Sequence, residues 1–317
     1  MSNSILGSIL RRFRLRAKHL DDCIYVRGRF NRADFLSQEF FVVDLSSQKY
    51  IHLGDVLFFL PIILFLANRR RVVVIAPEFK FDLLRCFILD LSNISCVRDY
   101  DDVPLDMVVV TQPYAIDDVP DRRVVLALGN PVSLPDLRYP FYLLKNLCSF
   151  LGEDFQVALK CFSNGVFLPV PAANLAGQKR LFISPFIASG KFRDLFGFKR
   201  RKIIKYAKRK HYEEGFEIFL FGARSERIIL PFPFVDFRGE SFIDLIGLIR
   251  GNFFAMGVGF DNFWMHVSDI FNVYYLVMFR GRFSRFGRLL HYSSVNVSFC
   301  KDSVRNYLTL TGVEEIR

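Results

Sequence analysis

Residues 40–76, FFVVDLSSQKYIHLGDVLFFLPIILFLANRRRVVVIA, decide the fold class. Short runs rich in valine begin and end this stretch, and they predict strands at residues 40–45 and 71–76. The apolar segment between them, residues 55–68, predicts a helix. A strand, a helix and a second strand in this order predict a βαβ unit, in which helices bury both faces of a parallel sheet.

The same alternation continues along the chain. In the first half we predict strands at 94–97, 107–111 and 124–128, and a helix at 79–91. A proline-bearing stretch, residues 166–174, interrupts the pattern, which then resumes with strands at 181–184, 217–222, 253–258 and 273–279 and helices at 200–214, 241–249 and 262–271. We therefore predict an α/β protein. It has two Rossmann-like domains facing a central cleft, residues 1–165 and residues 166–317, and the second ends in a helical tail.

The charge balance favours polyanionic partners. The 317 residues carry 43 Lys and Arg against 32 Asp and Glu, a net charge of +11. Such a protein suits nucleic acid, an anionic membrane surface or a phosphorylated substrate. At the N-terminus, residues 5–20 place apolar side chains at helical spacing with basic residues between them. They predict a basic amphipathic helix, which either docks on an anionic membrane or packs on its domain with the basic face in solvent.

Three further features predict a cytoplasmic location. The longest apolar run, residues 56–67, is shorter than the roughly 20 residues that cross a bilayer. The charges of the N-terminus follow the apolar residues, which is the reverse of a signal peptide. The six cysteines include no C-x-x-C pair, so we expect free thiols in a reducing compartment. The N-terminal helix is the candidate for peripheral contact with the inner face of the inner membrane.

The first candidate for chemistry is Asp55. It follows Gly54 at the junction of a strand and a helix, where a glycine lets the backbone turn tightly. A carboxylate at a helix N-terminus beside a ligand cleft is suited to act as a general base. The alternative is that Asp55 only caps its helix.

A second candidate begins at Asp261. An apolar strand leads into Asp261 and Asn262, which are both good helix caps, and His266 lies on the helix that follows. The backbone N–H groups at such a helix start would bind an anion, and a diphosphate suits them. The alternative is a capped helix that carries a half-buried histidine.

Two further loops follow predicted strands of the second half. Ser189 and Lys191 lie in a small-residue loop, which is compatible with phosphate binding although it lacks the P-loop pattern. Gly222 ends another strand and Glu226 follows it, in a place where an acid holds ribose hydroxyls in dinucleotide folds.

Together and in this order, these segments resemble glycosyltransferase family 9, the lipopolysaccharide heptosyltransferases. The resemblance is carried by G-D-V-L-x-x-x-P at residues 54–61, G-x-x-x-E at residues 222–226 and G-x-D-x-x-x-x-H at residues 259–266. It implies a GT-B fold, with the nucleotide-sugar donor on the C-terminal domain and the acceptor, a cell-surface glycan or glycolipid, on the N-terminal one. It also implies an inverting transfer of a heptose or hexose-like sugar with no metal ion and no cofactor.

The resemblance also assigns roles to single residues. Asp55 would deprotonate the acceptor hydroxyl. The donor would be bound by Ser189, Lys191, Gly222, Glu226, Asp261, Asn262 and His266, and Arg280 and Arg282 are candidates for binding its phosphates. In this chemistry the nucleoside diphosphate leaves with growing negative charge, which cationic side chains and helix N–H groups can stabilise in place of a metal.

Two departures from the family keep alternatives open. Asn262 and Phe263 replace a pair of small residues, and Arg280-Gly281-Arg282 stands where the family has Gly-Pro-Thr. A catalytically inactive, carbohydrate-binding relative is therefore one alternative. Nucleic-acid binding is another, because basic residues crowd residues 199–210. We favour a solvated helix face there, since no recognised nucleic-acid-binding motif accompanies the charge.

Overall fold

The structure is a computed structural model that describes residues 16–19, 24–48, 51–129, 139–167, 179–186, 197–260, 262–271, 273–278 and 297–299. The chain divides into two compact units, Met1–Phe167 and Leu168–Arg317. The first unit therefore includes two residues beyond our predicted boundary. One of them, Phe167, donates its N–H to the carbonyl of Phe87 at 3.0 Å.

The first unit is an α/β sandwich. Its strands are β1 Arg16–His19, β2 Ile24–Arg27, β3 Phe41–Asp44, β4 Val72–Ile75, β5 Ile94–Val97, β6 Val108–Thr111 and β7 Val124–Leu128. Its helices are α1 Arg32–Ser37, α2 Leu53–Phe58, α3 Leu60–Ala67, α4 Glu78–Arg85, α5 Tyr139–Leu151 and α6 Phe155–Gly165, with a 3-10 helix at Pro113–Asp118. The five strands predicted within residues 40–128 are confirmed, and their ends differ from the prediction by at most one residue.

The strand order of the first sheet is β1-β2-β7-β6-β3-β4-β5. Strands β3 to β7 pair in parallel, whereas β1 and β2 are antiparallel to their neighbours. The chain runs from β3 outward to β4 and β5, and then returns to place β6 on the other side of β3. The carboxyl ends of β3 and β6 therefore form a topological switch point, which is where open α/β sheets bind ligands.

The predicted helix over residues 55–68 is two helices, α2 and α3, that meet at Phe59. The break has a physical cause in Pro61, which has no N–H group to donate to a preceding turn. Restarting the helix at Leu60 puts Pro61 in a first turn, where that donor is not needed. All residues of α3 are buried, which explains why its sequence is apolar on every side.

The predicted N-terminal helix is wrong at its end, because residues 16–19 form strand β1. Pairing with β2 satisfies backbone groups that the edge of the sheet would otherwise leave open, and this outweighs the helical spacing of the side chains. The rest of that prediction, residues 5–15 and residue 20, lies outside the described residues.

The second unit repeats the architecture. Its strands are β8 Arg180–Ser184, β9 Glu217–Leu220, β10 Val235–Asp236, β11 Met256–Phe260, β12 Tyr274–Met278 and β13 Val297–Phe299. Its helices in the described residues are α7 Gly197–Glu214, α8 Phe242–Arg250 and α9 Phe263–Ile270. The sheet is parallel in the order β10-β9-β8-β11-β12-β13. Its switch point lies between β8 and β11.

Two predictions in this unit are corrected. The strand expected at 253–258 begins only at Met256, because residues 251–253 close the preceding helix: Asn252 adopts a left-handed φ of 57° and Phe253 donates its N–H to Leu248. The predicted helical tail is wrong for Val297–Phe299, which forms a strand beside β12. The remainder of that tail lies outside the described residues.

Aromatic rings fill the core of the second unit. The ring centroids of Phe182 and Phe221 are 4.7 Å apart, and Phe254 packs edge-on against both. Trp264 packs its ring on Phe221 at 4.9 Å, which ties α9 to the sheet. Within the described part of the chain, every helix is too short or too polar to span a bilayer.

Candidate functional site

Asp55 lies in the first turn of α2, the helix that follows β3 at the switch point of the first unit. Its Oδ2 accepts a hydrogen bond of 3.0 Å from the backbone N–H of His52, so the capping role that we considered is realised. Burial raises the pKa of Asp55, and the hydrogen bond from His52 and the charges of His52 and Lys80 oppose that rise. The carboxylate thus caps the helix through Oδ2.

Two buried charged residues at or in contact with the end of β3 were missed by the sequence analysis. Lys80, on α4, is 2% exposed, and its Nζ donates to the carbonyls of Leu45 and Ser47, both at 2.7 Å. Burial lowers the pKa of Lys80 to about 8, although Asp44 and Asp55 oppose this change. Asp44, at the end of β3, is fully buried and accepts the Ser46 N–H at 2.8 Å. Burial raises the pKa of Asp44, and interactions with Ser46, Tyr100 and Lys80 oppose the rise.

The other strand at this switch point also ends in polar residues. Thr111, the last residue of β6, donates its hydroxyl to the carbonyl of Asp44 at 3.1 Å. Gln112 follows and is fully buried, and neither polar atom of its side chain has a hydrogen-bond partner in the described structure. Two sequence signals could have identified these residues. Asp44 is an acid at the end of an apolar strand, and Gln112 directly follows the threonine that ends another apolar strand.

In the second unit, Gly222 and Glu226 lie together in the turn after β9. Oε2 of Glu226 accepts the N–H of Ala223 at 2.8 Å. A Cβ atom at Gly222 would lie 2.6 Å from that oxygen and 2.5 Å from the ring of Phe186, so a larger residue would displace one of these side chains. Arg238 supports the turn, because its Nη1 donates to the carbonyl of Glu226 at 2.6 Å.

Asn262 joins the two strands at the second switch point. It caps α9 by accepting the N–H of Trp264 at 3.0 Å. Its Nδ2 donates to Oγ of Ser184, at the end of β8, at 2.9 Å and to the carbonyl of Phe186 at 3.4 Å. His266 is buried one turn further along α9. The bulky Phe263 packs its ring on Trp264, with centroids 5.0 Å apart.

Phe186 connects the two halves of the predicted donor site and was also missed. Its ring is in contact with Gly222 and its carbonyl with Asn262, so the turn after β9 and the start of α9 meet at this one residue. Among the remaining predicted residues, Ser189, Lys191, Asp261, Arg280 and Arg282 lie outside the described residues. Asp55 belongs to the other unit.

No metal site can be assigned from the described part of the chain, where three or more His, Cys, Asp or Glu side chains nowhere cluster closely enough to hold an ion. The polar groups of both switch points are hydrogen-bond donors and acceptors rather than ligand sets. Their arrangement offers hydrogen bonds to a polar ligand.

Each of the two successive units contains parallel strands around a switch point, which agrees with the two Rossmann-like domains that we predicted. Among solved structures, the chain is similar to the E. coli heptosyltransferase WaaC with ADP, at 12% identity and a TM-score of 0.50, over 82% of this chain and 92% of that one. It is also similar to a glycosyl transferase of family 9 from Veillonella parvula, at 12% identity and a TM-score of 0.47, over 80% and 83% of the two chains.

A third similar structure is TibC, an iron-containing dodecameric glycosyltransferase from enterotoxigenic E. coli, at 11% identity and a TM-score of 0.46. The match covers 80% of this chain and 62% of TibC, so the chain spans about three fifths of that protein. No protein-family model and no curated protein matches the chain. At these identities, the likeness to WaaC confirms the fold that the resemblance to family 9 implies.

Proposed function

We propose that the protein is an inverting glycosyltransferase that moves a heptose or hexose-like sugar from a nucleotide-sugar donor to a hydroxyl of a cell-surface glycan or a lipopolysaccharide core. The observation that carries the proposal is Asp55, a partly buried carboxylate on the helix that follows the switch-point strand of a GT-B fold. Its raised pKa makes it a stronger base than an exposed aspartate. The chain's similarity to WaaC supports the same class of reaction.

In the proposed reaction, Asp55 accepts the proton of the acceptor hydroxyl as that oxygen attacks the anomeric carbon. The bond between that carbon and the phosphate oxygen breaks, and its electron pair leaves with the nucleoside diphosphate. One new glycosidic bond forms with inversion, and the proton remains on Asp55 until solvent removes it. General-base catalysis of this kind contributes about 10²–10⁴-fold to a rate.

The donor is proposed to bind the second unit at the carboxyl ends of β8, β9 and β11. Glu226 would hold the ribose, and the start of α9, oriented by Asn262, would face the diphosphate. The sequence predicts further residues that bind the donor or its phosphates: Ser189, Lys191, Asp261, His266, Arg280 and Arg282. We propose that these cations and N–H groups stabilise the leaving diphosphate, so that no metal ion or cofactor is needed.

A thermal-shift panel tests the donor class. ADP, UDP, GDP and their sugar conjugates, ADP-heptose among them, are added to the intact protein. Selective stabilisation by one nucleotide and its sugar conjugate is expected, because a ligand that binds only the folded state raises the melting temperature. No shift with any member of the panel would contradict the proposal. His266→Ala is expected to weaken donor binding more than acceptor binding, and equal losses would contradict the proposed site.

We also propose a cytoplasmic enzyme that contacts an anionic membrane peripherally. On α7 the basic side chains of Arg201, Lys205 and Lys208 are exposed along one face, at the spacing of successive helical turns. Their neutralisation by Gln is expected to reduce co-sedimentation with vesicles that contain phosphatidylglycerol. If the same change instead abolished a salt-sensitive shift with RNA and left vesicle binding intact, the nucleic-acid alternative would replace this proposal.

A further inference from the structure

A lysine is buried where the fold has no need of one for packing. Lys80 lies in the first turn of α4 between Phe79 and Phe81, and it is 2% exposed. Removing an ammonium group from water is costly unless hydrogen bonds or opposite charges compensate. Leucine or methionine would fill such a position without that cost. The residue must therefore be understood from what its Nζ contacts.

The contacts of Nζ hold one particular loop. Two of its three donors bind the carbonyls of Leu45 and Ser47, at 2.7 Å each. Both carbonyls belong to the segment that leads from β3 to α2, the helix that carries Asp55. The carbonyl of Ser47 also accepts the N–H of Ile51 at 3.3 Å, and this bond connects Ser47 to the residues just before α2. Lys80, on α4, thus holds the segment that leads from β3 to α2 through two hydrogen bonds.

The charges around Lys80 are two carboxylates. Asp44, at the end of β3, and Asp55, on α2, both interact electrostatically with its ammonium group. Asp55 in turn has two cationic or titratable neighbours, His52 at the N-cap of its own helix and Lys80 on α4. Of these, Lys80 is buried and His52 is exposed to solvent, which screens its charge.

We propose that Lys80 is a positioning residue for Asp55: its two hydrogen bonds fix the loop that leads into α2, and its buried ammonium group acts electrostatically on the Asp55 carboxylate. The significance of this role for catalysis rests on the proposed function of Asp55. The pKa of Lys80, lowered to about 8, leaves most of its ammonium groups charged at neutral pH. That charge favours the ionised carboxylate, the form that accepts a proton.

The test is a direct titration of Asp55 in the full chain, followed by carbon NMR on protein with labelled aspartate and assigned with Asp55→Asn. Lys80→Met removes the charge and the donors, whereas Lys80→Gln removes the charge and keeps a donor. Both are expected to raise the pKa of Asp55, because loss of the positive charge disfavours the ionised carboxylate. Arg85→Met, an exposed arginine on the same helix, is the matched control and should leave the titration unchanged.

An unchanged Asp55 titration in a folded Lys80 variant would overturn the inference. If Lys80→Met does not fold, Lys80→Gln decides the matter, and Lys80→Arg should restore the pKa of Asp55 towards its wild-type value. Because the titration needs no substrate, its result does not depend on whether the proposed function is correct. A shifted pKa with an active Asp55→Asn enzyme would remove the catalytic role of Asp55 and keep its electrostatic link to Lys80.

Discussion

The side chain of Asn262 should couple two elements of the second unit, and the size of that coupling can be worked from its contacts. As a helix cap it accepts the Trp264 N–H at 3.0 Å, and loss of such a cap costs about 1 kcal/mol. As a donor it binds Ser184 at 2.9 Å, and a hydrogen bond of this kind contributes about 1 kcal/mol. Asn262→Ala should therefore lower the free energy of unfolding by about 2 kcal/mol.

The companion variants separate the two contributions. Ser184→Ala removes only the contact between the strands and should cost about 1 kcal/mol. Combined with Asn262→Ala it should add almost nothing, because the partner is already gone. Asn262→Asp keeps an acceptor for the cap and loses the amide donor, so we expect a loss near that of Ser184→Ala.

The assay can be confined to the relevant unit. Trp264 is the single tryptophan of the chain and lies on α9, so its fluorescence during denaturant unfolding reports the second unit alone. That selectivity matters because a two-unit chain need not unfold in one step. A loss below about 0.5 kcal/mol for Asn262→Ala, or full additivity with Ser184→Ala, would refute the reasoning.

Two further predictions concern packing and pH. Gly257→Ala should destabilise the second unit by about 1–3 kcal/mol, because its Cβ would lie 2.3 Å from Phe182 and 2.6 Å from Tyr275. Gly247→Ala, in a helix and with no atom within 4 Å of the added Cβ, is the matched control and should stabilise. The stability changes of both variants are measured from the midpoints of denaturant unfolding. Because the pKa of Asp44 is raised in the folded state, stability should fall as pH rises from its unfolded to its folded pKa. Asp44→Asn should weaken this dependence in melting curves recorded between pH 4 and 8, although Asp55, whose pKa is also raised, keeps its own contribution; an identical pH profile would contradict the prediction.

The parallel strands could be predicted because burial on both faces produces continuous valine runs such as residues 72–75, which local sequence alone identifies. The hairpin of β1 and β2 could not, because its pairing is decided by the open edge of β7 rather than by its own residues. Helices α5 and α6 were also missed, although α6 has the spacing of an amphipathic helix. Pro61 is visible in the sequence, but the position at which the helix breaks and begins again also depends on where the preceding turn ends.

In the candidate site, too, some residues could be predicted from the sequence and others could not. Asp55 and Asn262 were found because each stands at a strand-to-helix junction with the residue type of a cap. Lys80 was not found, because a lysine in a helix is ordinarily exposed, and its burial follows from the position of α4 beside the loop after β3. Phe186 was missed for a similar reason: its role consists of a backbone carbonyl and a ring edge, neither of which leaves a sequence signal.

The central claim is that Asp55 is the base of a sugar-transfer reaction, and turnover by Asp55→Asn tests it most directly. Asp34→Asn is the matched control, since Asp34 accepts the Asn31 N–H at 2.8 Å in the same capping position of α1. With the sugar nucleotide selected by the thermal-shift panel and a truncated lipopolysaccharide core as acceptor, mass spectrometry follows the glycosylated product. We predict that Asp55→Asn binds the donor like the wild type and turns over about 10²–10⁴-fold more slowly, while Asp34→Asn retains activity. Wild-type turnover by Asp55→Asn would contradict the account.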